Sequence, residues 1–193
     1  MAAGIIKTSE DLCIEADTNI PDNTQGLVSP EDVRELNKNI IASGQTPFGG
    51  FHLSAEVETV IATISTFVKA AGTTVVTPNS VQFTMPSDNR LQYIGLLDNR
   101  TFVIGISISM IAASNNQLIN FIIAKNGSVV DTESLTTIQE RTHGTGSEIS
   151  SISVIGHMTL SEDDFIELFI SNESGTANVT IKRINFTVVG LSG

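Results

Sequence analysis

Glu162, Asp163, Asp164 and Glu167 put four carboxylates into one short stretch. Together they would suit a hard cation, since Ca2+ takes about six to eight oxygen ligands. The stretch lacks the glycine-punctuated loop of a dedicated calcium site, so it reads as a solvated corner whose acids discourage edge-to-edge strand pairing. The other chemistry-bearing residues are scattered. His52, His143 and His157 are far apart in sequence and the one cysteine is Cys13, so zinc-ligand spacing is absent. Serine is abundant, yet no Gly-x-Ser-x-Gly elbow presents one as a nucleophile. A glycosidase needs two carboxylates at one cleft, and Glu133, Glu140 and Glu148 are too dispersed to nominate. Asn99, Asn126, Asn172, Asn178 and Asn185 each begin an Asn-x-Ser/Thr triplet, which a threonine-rich chain produces by composition alone. These patterns predict no enzyme, no metal and no cofactor.

Charge narrows the choice of partner. The chain carries 21 acids against 10 bases, a net charge of −11. An acidic surface repels phosphate, which argues against nucleic acid. Residues 1–58 hold 10 acids and 3 bases, and residues 59–193 hold 11 and 7, so the acidity is concentrated towards the start. Charged residues make up only 16% of the chain. So few charges imply that some apolar surface is covered by another copy or by a larger assembly. No apolar run approaches the ~18 residues of a spanning helix. Met1–Lys7 lacks the basic and apolar regions of a signal peptide. A lone cysteine fits a protein made in a reducing cytoplasm.

The elements that would position any site fall into two parts. Residues 1–26 are acidic and polar without periodicity, either a loose tail or a segment that orders on a docking partner. A short helix is expected over about 30–43. Ser29 suits its N-cap, Pro30 its first position and Asp32 its third, and Gly44 suits the residue beyond its end. Val33, Leu36, Ile40 and Ile41 form an apolar stripe. That stripe must dock on the rest of the chain, on its own copies in a bundle, or on a host particle. Gln45–Gly50 reads as a hinge, because Pro47 and the Gly49-Gly50 pair interrupt regular structure. Ser54–Phe67 is ambiguous between helix and strand, and the Thr and Ile density favours a strand from about Val60.

Beyond that point the pattern is all β. Phe102, Ile104, Ile106, Ile108 and Met110 occupy alternate positions, with Val103, Gly105, Ser107 and Ser109 between them. A period of two places the large side chains on one sheet face. Further short strands are separated by turn residues such as Pro86–Asn89, Asp98–Arg100, Asn126-Gly127 and Asn172–Gly175. The inward set shifts phase between Ile181 and Ile184, which predicts a β-bulge near Lys182-Arg183. The expected fold class is all-β, an antiparallel jelly-roll sandwich with an N-terminal arm and one short α-helix.

Thr66-Phe-Val-Lys69, Asn89–Gly95, Lys125-Asn-Gly127 and Leu160–Leu168 stand in the order found in certain viral β-domains. The chain here resembles the trimeric tumour necrosis factor-like jelly-roll heads of phage and large-virus fibre or capsid decoration proteins, over roughly residues 60–190. That resemblance implies a homotrimer and a structural virion protein, assembled in the host cytoplasm, with no catalytic activity. Residues 1–50 would mount it on a capsid or other virion protein, with Val33, Leu36 and Ile40 as docking residues. Residues 51–193 would form the head. No long heptad shaft separates the two, which suits a short head fibre or decoration subunit. Asn115, Asn116, Arg141 and His143 would lie in exposed tip loops facing a host-surface receptor or glycan. The alternative is a receptor- or carbohydrate-binding tail fibre tip, although such sites use aromatic platforms and the chain has one tyrosine and no tryptophan.

Overall fold

The computed structural model describes residue 14 and residues 30–129, 138–141 and 148–191. Ser29, the arm before it and His143 lie outside these residues. Helix α1 runs Pro30–Ser43, with Glu31 and Asp32 in its first turn, where acids complement the helix N-terminus. The Gly44 N–H closes the last turn on the Ile40 carbonyl at 3.0 Å.

Among the described residues twelve strands follow: β1 (Phe48–Ala55), β2 (Glu58–Thr59), β3 (Val68–Lys69), β4 (Thr73–Val76), β5 (Phe83–Ser87), β6 (Arg90–Tyr93), β7 (Arg100–Ala112), β8 (Leu118–Lys125), β9 (Ile138–Arg141), β10 (Ser150–Leu160), β11 (Phe165–Asn172) and β12 (Val179–Gly190). They build two antiparallel sheets. One has the order β10-β7-β12-β1-β4, with β2 beside β12; the other has β5-β6-β11-β8-β9, with β3 beside β11. From β4 onward the chain keeps crossing between the sheets, so neighbours in a sheet are mostly distant in sequence.

The core lies between the sheets and obeys the alternation. Phe102, Ile104, Ile106, Ile108 and Met110 are at most 4% exposed, and they share one core with Ile119, Phe121, Ile123, Ile166, Leu168 and Ile170 of the second sheet. Phe51 stacks on Phe186 across β1 and β12 with centroids 4.7 Å apart, and Phe102 meets Phe83 and Tyr93 edge-on. The β7–β12 register shifts between Ile181 and Arg183, which is the bulge expected there.

Two local expectations fail. The Gln45–Gly50 hinge is in part strand, because β1 begins at Phe48 and pairs with Val189. The glycines serve close approach instead of bending. A Cβ on Gly49 would sit 2.6 Å from the Phe83 Cβ, and one on Gly50 would collide with the Phe186 carbonyl oxygen. The strand expected from Val60 is also absent. Only Glu58 and Thr59 pair, after which residues 60–67 form a loop pinned by the Ile61 N–H on Asn178 Oδ1 at 3.0 Å. Ile61 is buried there, so its hydrophobicity reflects a plug under the sandwich rather than a strand face.

Phe186→Ala should destabilise the domain by about 3–5 kcal/mol, since it removes both the Phe51 stack and a filled core site. Urea unfolding checks this, and a loss below about 1 kcal/mol would place the core elsewhere.

Candidate functional site: an uncharged sheet face

The acidic corner is the first sequence candidate, and its Asp163, Asp164 and Glu167 carboxylates already have partners. Asp164 Oδ1 accepts from Asn126 Nδ2 at 2.7 Å, and Oδ2 accepts from the Ser161 N–H at 2.8 Å and pairs with Lys125 Nζ at 3.1 Å. Asn126 Oδ1 in turn accepts from the Phe165 N–H. The Asn126-Gly127 turn and the Ser161–Asp164 corner are therefore stitched together. Asp163 Oδ1 takes Gln92 Nε2 at 2.9 Å. Glu167 is 2% exposed, and its Oε1 takes Lys69 Nζ at 2.7 Å and Arg90 Nε at 2.8 Å. Arg90 also covers the Phe165 ring at 4.0 Å from its centroid. A buried carboxylate holding two cations ties β3, β6 and β11 into one sheet. Among the described residues no group of three or more His, Cys, Asp or Glu is placed to hold a metal ion.

The two described histidines, His52 and His157, share a face without meeting. The pairing registers put His157 beside Val103, and His52 beside Asn185 and Val75. Three strand spacings separate β10 from β1, roughly 14 Å, too far for one ligand. Of the tip residues, Asn115 and Asn116 lie exposed in the turn between β7 and β8. Arg141 closes β9 in register with Leu118, so its backbone lies at that same end of the sandwich. The junction from α1 into β1 lies at the opposite end, where Phe48 pairs with Val189 and Val189 with Val103. Val33 and Ile40 are exposed on α1 and Leu36 is half-buried.

What the sequence did not single out is the outer face of the first sheet. Reading across the registers, it presents Ser151, Ser153, Ile155, His157 and Thr159 of β10, then Thr101, Val103, Gly105, Ser107 and Ser109 of β7. Arg183, Asn185, Thr187 and Val189 of β12 follow, with Phe48, Gly50 and His52 of β1 beyond. Arg183 is the one formally charged residue among these. Ile155 stands 76% exposed beside Gly105, where an added Cβ would meet nothing within 4 Å. An apolar knob thus stands next to an open dimple. The serines bond each other across β7 and β10, Ser109 with Ser151 at 2.9 Å and Ser153 with Ser107 at 3.1 Å, which meets part of their hydrogen-bonding demand without water.

Strand β10 adds a second feature. It is a long edge strand, and Ser150–Leu160 contains no charge and no proline. Edge strands of this kind invite pairing or packing unless something covers them. The signal was legible in principle, because Ile155 breaks phase with Ile152, Val154, Met158 and Leu160 and joins the serine set.

No family model and no curated protein matches the chain. Solved structures do. The Eiger TNF of S. frugiperda superposes with a TM-score of 0.54 at 10% identity, covering 76% of this chain and 94% of that one. Murine APRIL at pH 5.0 gives 0.52 at 11% identity, covering 76% of this chain and 100% of that one. This is a tumour necrosis factor-like jelly roll. At such identity the likeness is one of fold, and the jelly roll is carried by pattern and topology.

The stitched corner has a pH signature. Burial pushes the Asp164 carboxyl up, but the Ser161 N–H, the Asn126 amide and Lys125 outweigh it and hold the group below its ordinary value of 3.8. A depressed folded value stabilises the fold above the ordinary value, and that contribution is lost as pH falls through the folded one. Thermal melting between about pH 5 and about pH 2.5 should therefore show a shallower acid decline for Asp164→Asn than for the native chain. Parallel declines would remove Asp164 from the account.

Proposed function

We propose that the chain is the subunit of a homotrimeric, non-enzymatic structural protein of a virion, a head fibre or capsid decoration subunit. The observation that carries the trimer is the outer face of β10, β7, β12 and β1, which bears no acid and one base, Arg183, together with the uncharged β10 edge. Copies that each bear −11 can approach closely only where acids are absent. The edge of one copy and the face of the next are different surfaces of the same molecule. Such a head-to-tail contact closes into a ring when its rotation allows. Three is the number implied by the resemblance of the sequence to trimeric viral heads, and the jelly-roll fold is compatible with it.

The virion role is supported by that same resemblance and by the polarity of the fold. The polypeptide enters β1 at one end, while the β7–β8 turn and the end of β9 lie at the other. Residues 1–50 would form the mount, and the far loops would be presented to a host surface. Among the described residues neither the carboxylates nor His52 and His157 offer convergent chemistry, and the head is read as a binding and packing element.

Light scattering on the full chain should give three times the 20.5 kDa chain mass. Ile155→Asp should give single chains of unchanged circular dichroism, because that side chain takes no part in the core of its own copy. A native single-chain mass overturns the trimer. Absence of the protein from purified particles overturns the virion role.

A further inference from the structure

We propose that α1 packs against the α1 helices of the other copies, forming a short parallel bundle at the base of the assembly. The inference rests on the homotrimer reading above; it assigns Val33, Leu36 and Ile40 to contacts between copies instead of to a virion protein, and leaves the mount to the rest of residues 1–50.

Val33, Leu36 and Ile40 follow one another at intervals of three and four residues. That is the a–d–a spacing of a coiled-coil seam. Val33 is 41% exposed and Ile40 47% exposed, so the sandwich of the same chain does not cover them. At 100° per residue, Glu31, Arg34, Glu35 and Lys38 all fall on the opposite side of the helix. Two of them pair there, Lys38 Nζ with Glu35 Oε2 at 3.1 Å. The helix therefore has a charged face for water and an apolar side opposite, which Ile41 extends.

Continuity with the head decides the occupant. Only Gly44–Pro47 separate α1 from β1, and four residues span at most about 14 Å. β1 opens on Phe48, which belongs to the same outer face as Val189, Val103 and Ile155. Copies joined through that face hold their α1 helices within reach of one another at high effective concentration. An isolated helix of 14 residues is marginal in water, so the bundle depends on the head to bring its members together. β-Branched a positions with leucine at d favour two strands in long parallel coiled coils. Here the seam is shorter than two heptads, and the head sets the number.

Cysteine cross-linking in the full chain tests this, with Cys13→Ser removing the native thiol. Under mild oxidation, Leu36→Cys and Ile40→Cys should form inter-chain disulfides at least about tenfold faster than Lys38→Cys on the charged face. Light scattering of each variant before oxidation reports the assembly of the head. Equal rates at all three positions in an assembled protein overturn the bundle and leave the head contact standing. A single-chain mass for the native protein overturns the head contact, and the bundle with it.

Discussion

The whole molecule depends on one interlock, the row Phe102, Ile104, Ile106, Ile108 and Met110 closing against Ile119, Phe121, Ile123 and Leu168 of the opposite sheet. Because strand side chains alternate, each inward residue fixes the face of its neighbours. Once Ile104 and Ile106 point in, Gly105 must point out. The composition of the outer face is thereby released from any demand of the interior. On the first sheet it carries serine, threonine and glycine, the exposed Ile155, Phe48 and Val189, and the charged Arg183.

Polar side chains hold the edges of this interlock. Asn89, almost fully buried, donates to the Ala70 carbonyl at 2.6 Å, and its N–H is taken by Thr74 Oγ1 at 2.9 Å. Asp88 Oδ1 accepts from the Thr74 N–H. Glu173 gathers Ser65, Ser171 and Asn120, and the Ser65 and Ser171 hydroxyls hold its carboxyl below its ordinary value against the opposing effect of burial. Each joint ties a loop to a strand that is remote in sequence. Charge appears at these joints and on solvent faces, and is scarce on the uncharged sheet face.

Much of the fold was legible because alternation is a local signal. The central strand, the Ile181–Arg183 bulge and the short helix all follow from spacing within a dozen residues. Gly49 and Gly50 were misread because a glycine says that a Cβ is unwelcome without saying why. Here the reason is Phe83 and the Phe186 carbonyl, which come from elsewhere in the chain. Val60–Phe67 was misread because β-branched composition alone does not fix pairing; in this loop Ile61 is buried while Val60 and Ile64 stand exposed. Glu167 could be seen as an acid, but its partners Lys69 and Arg90 arrive from two other strands. The uncharged face was only half visible, since it is assembled from four strands whose neighbours no local pattern names.

One feature of the strand order governs how such a molecule can be made. β12 lies between β7 and β1, although every other strand precedes it in the chain. During translation β1 can pair with β4, but its other partner lies more than 130 residues downstream. Until β12 is synthesised, the first sheet stands in two pieces, β1 with β4 and β7 with β10. The middle plank of the sheet is thus the last to arrive, and a polypeptide that stops short of it leaves the two halves unjoined.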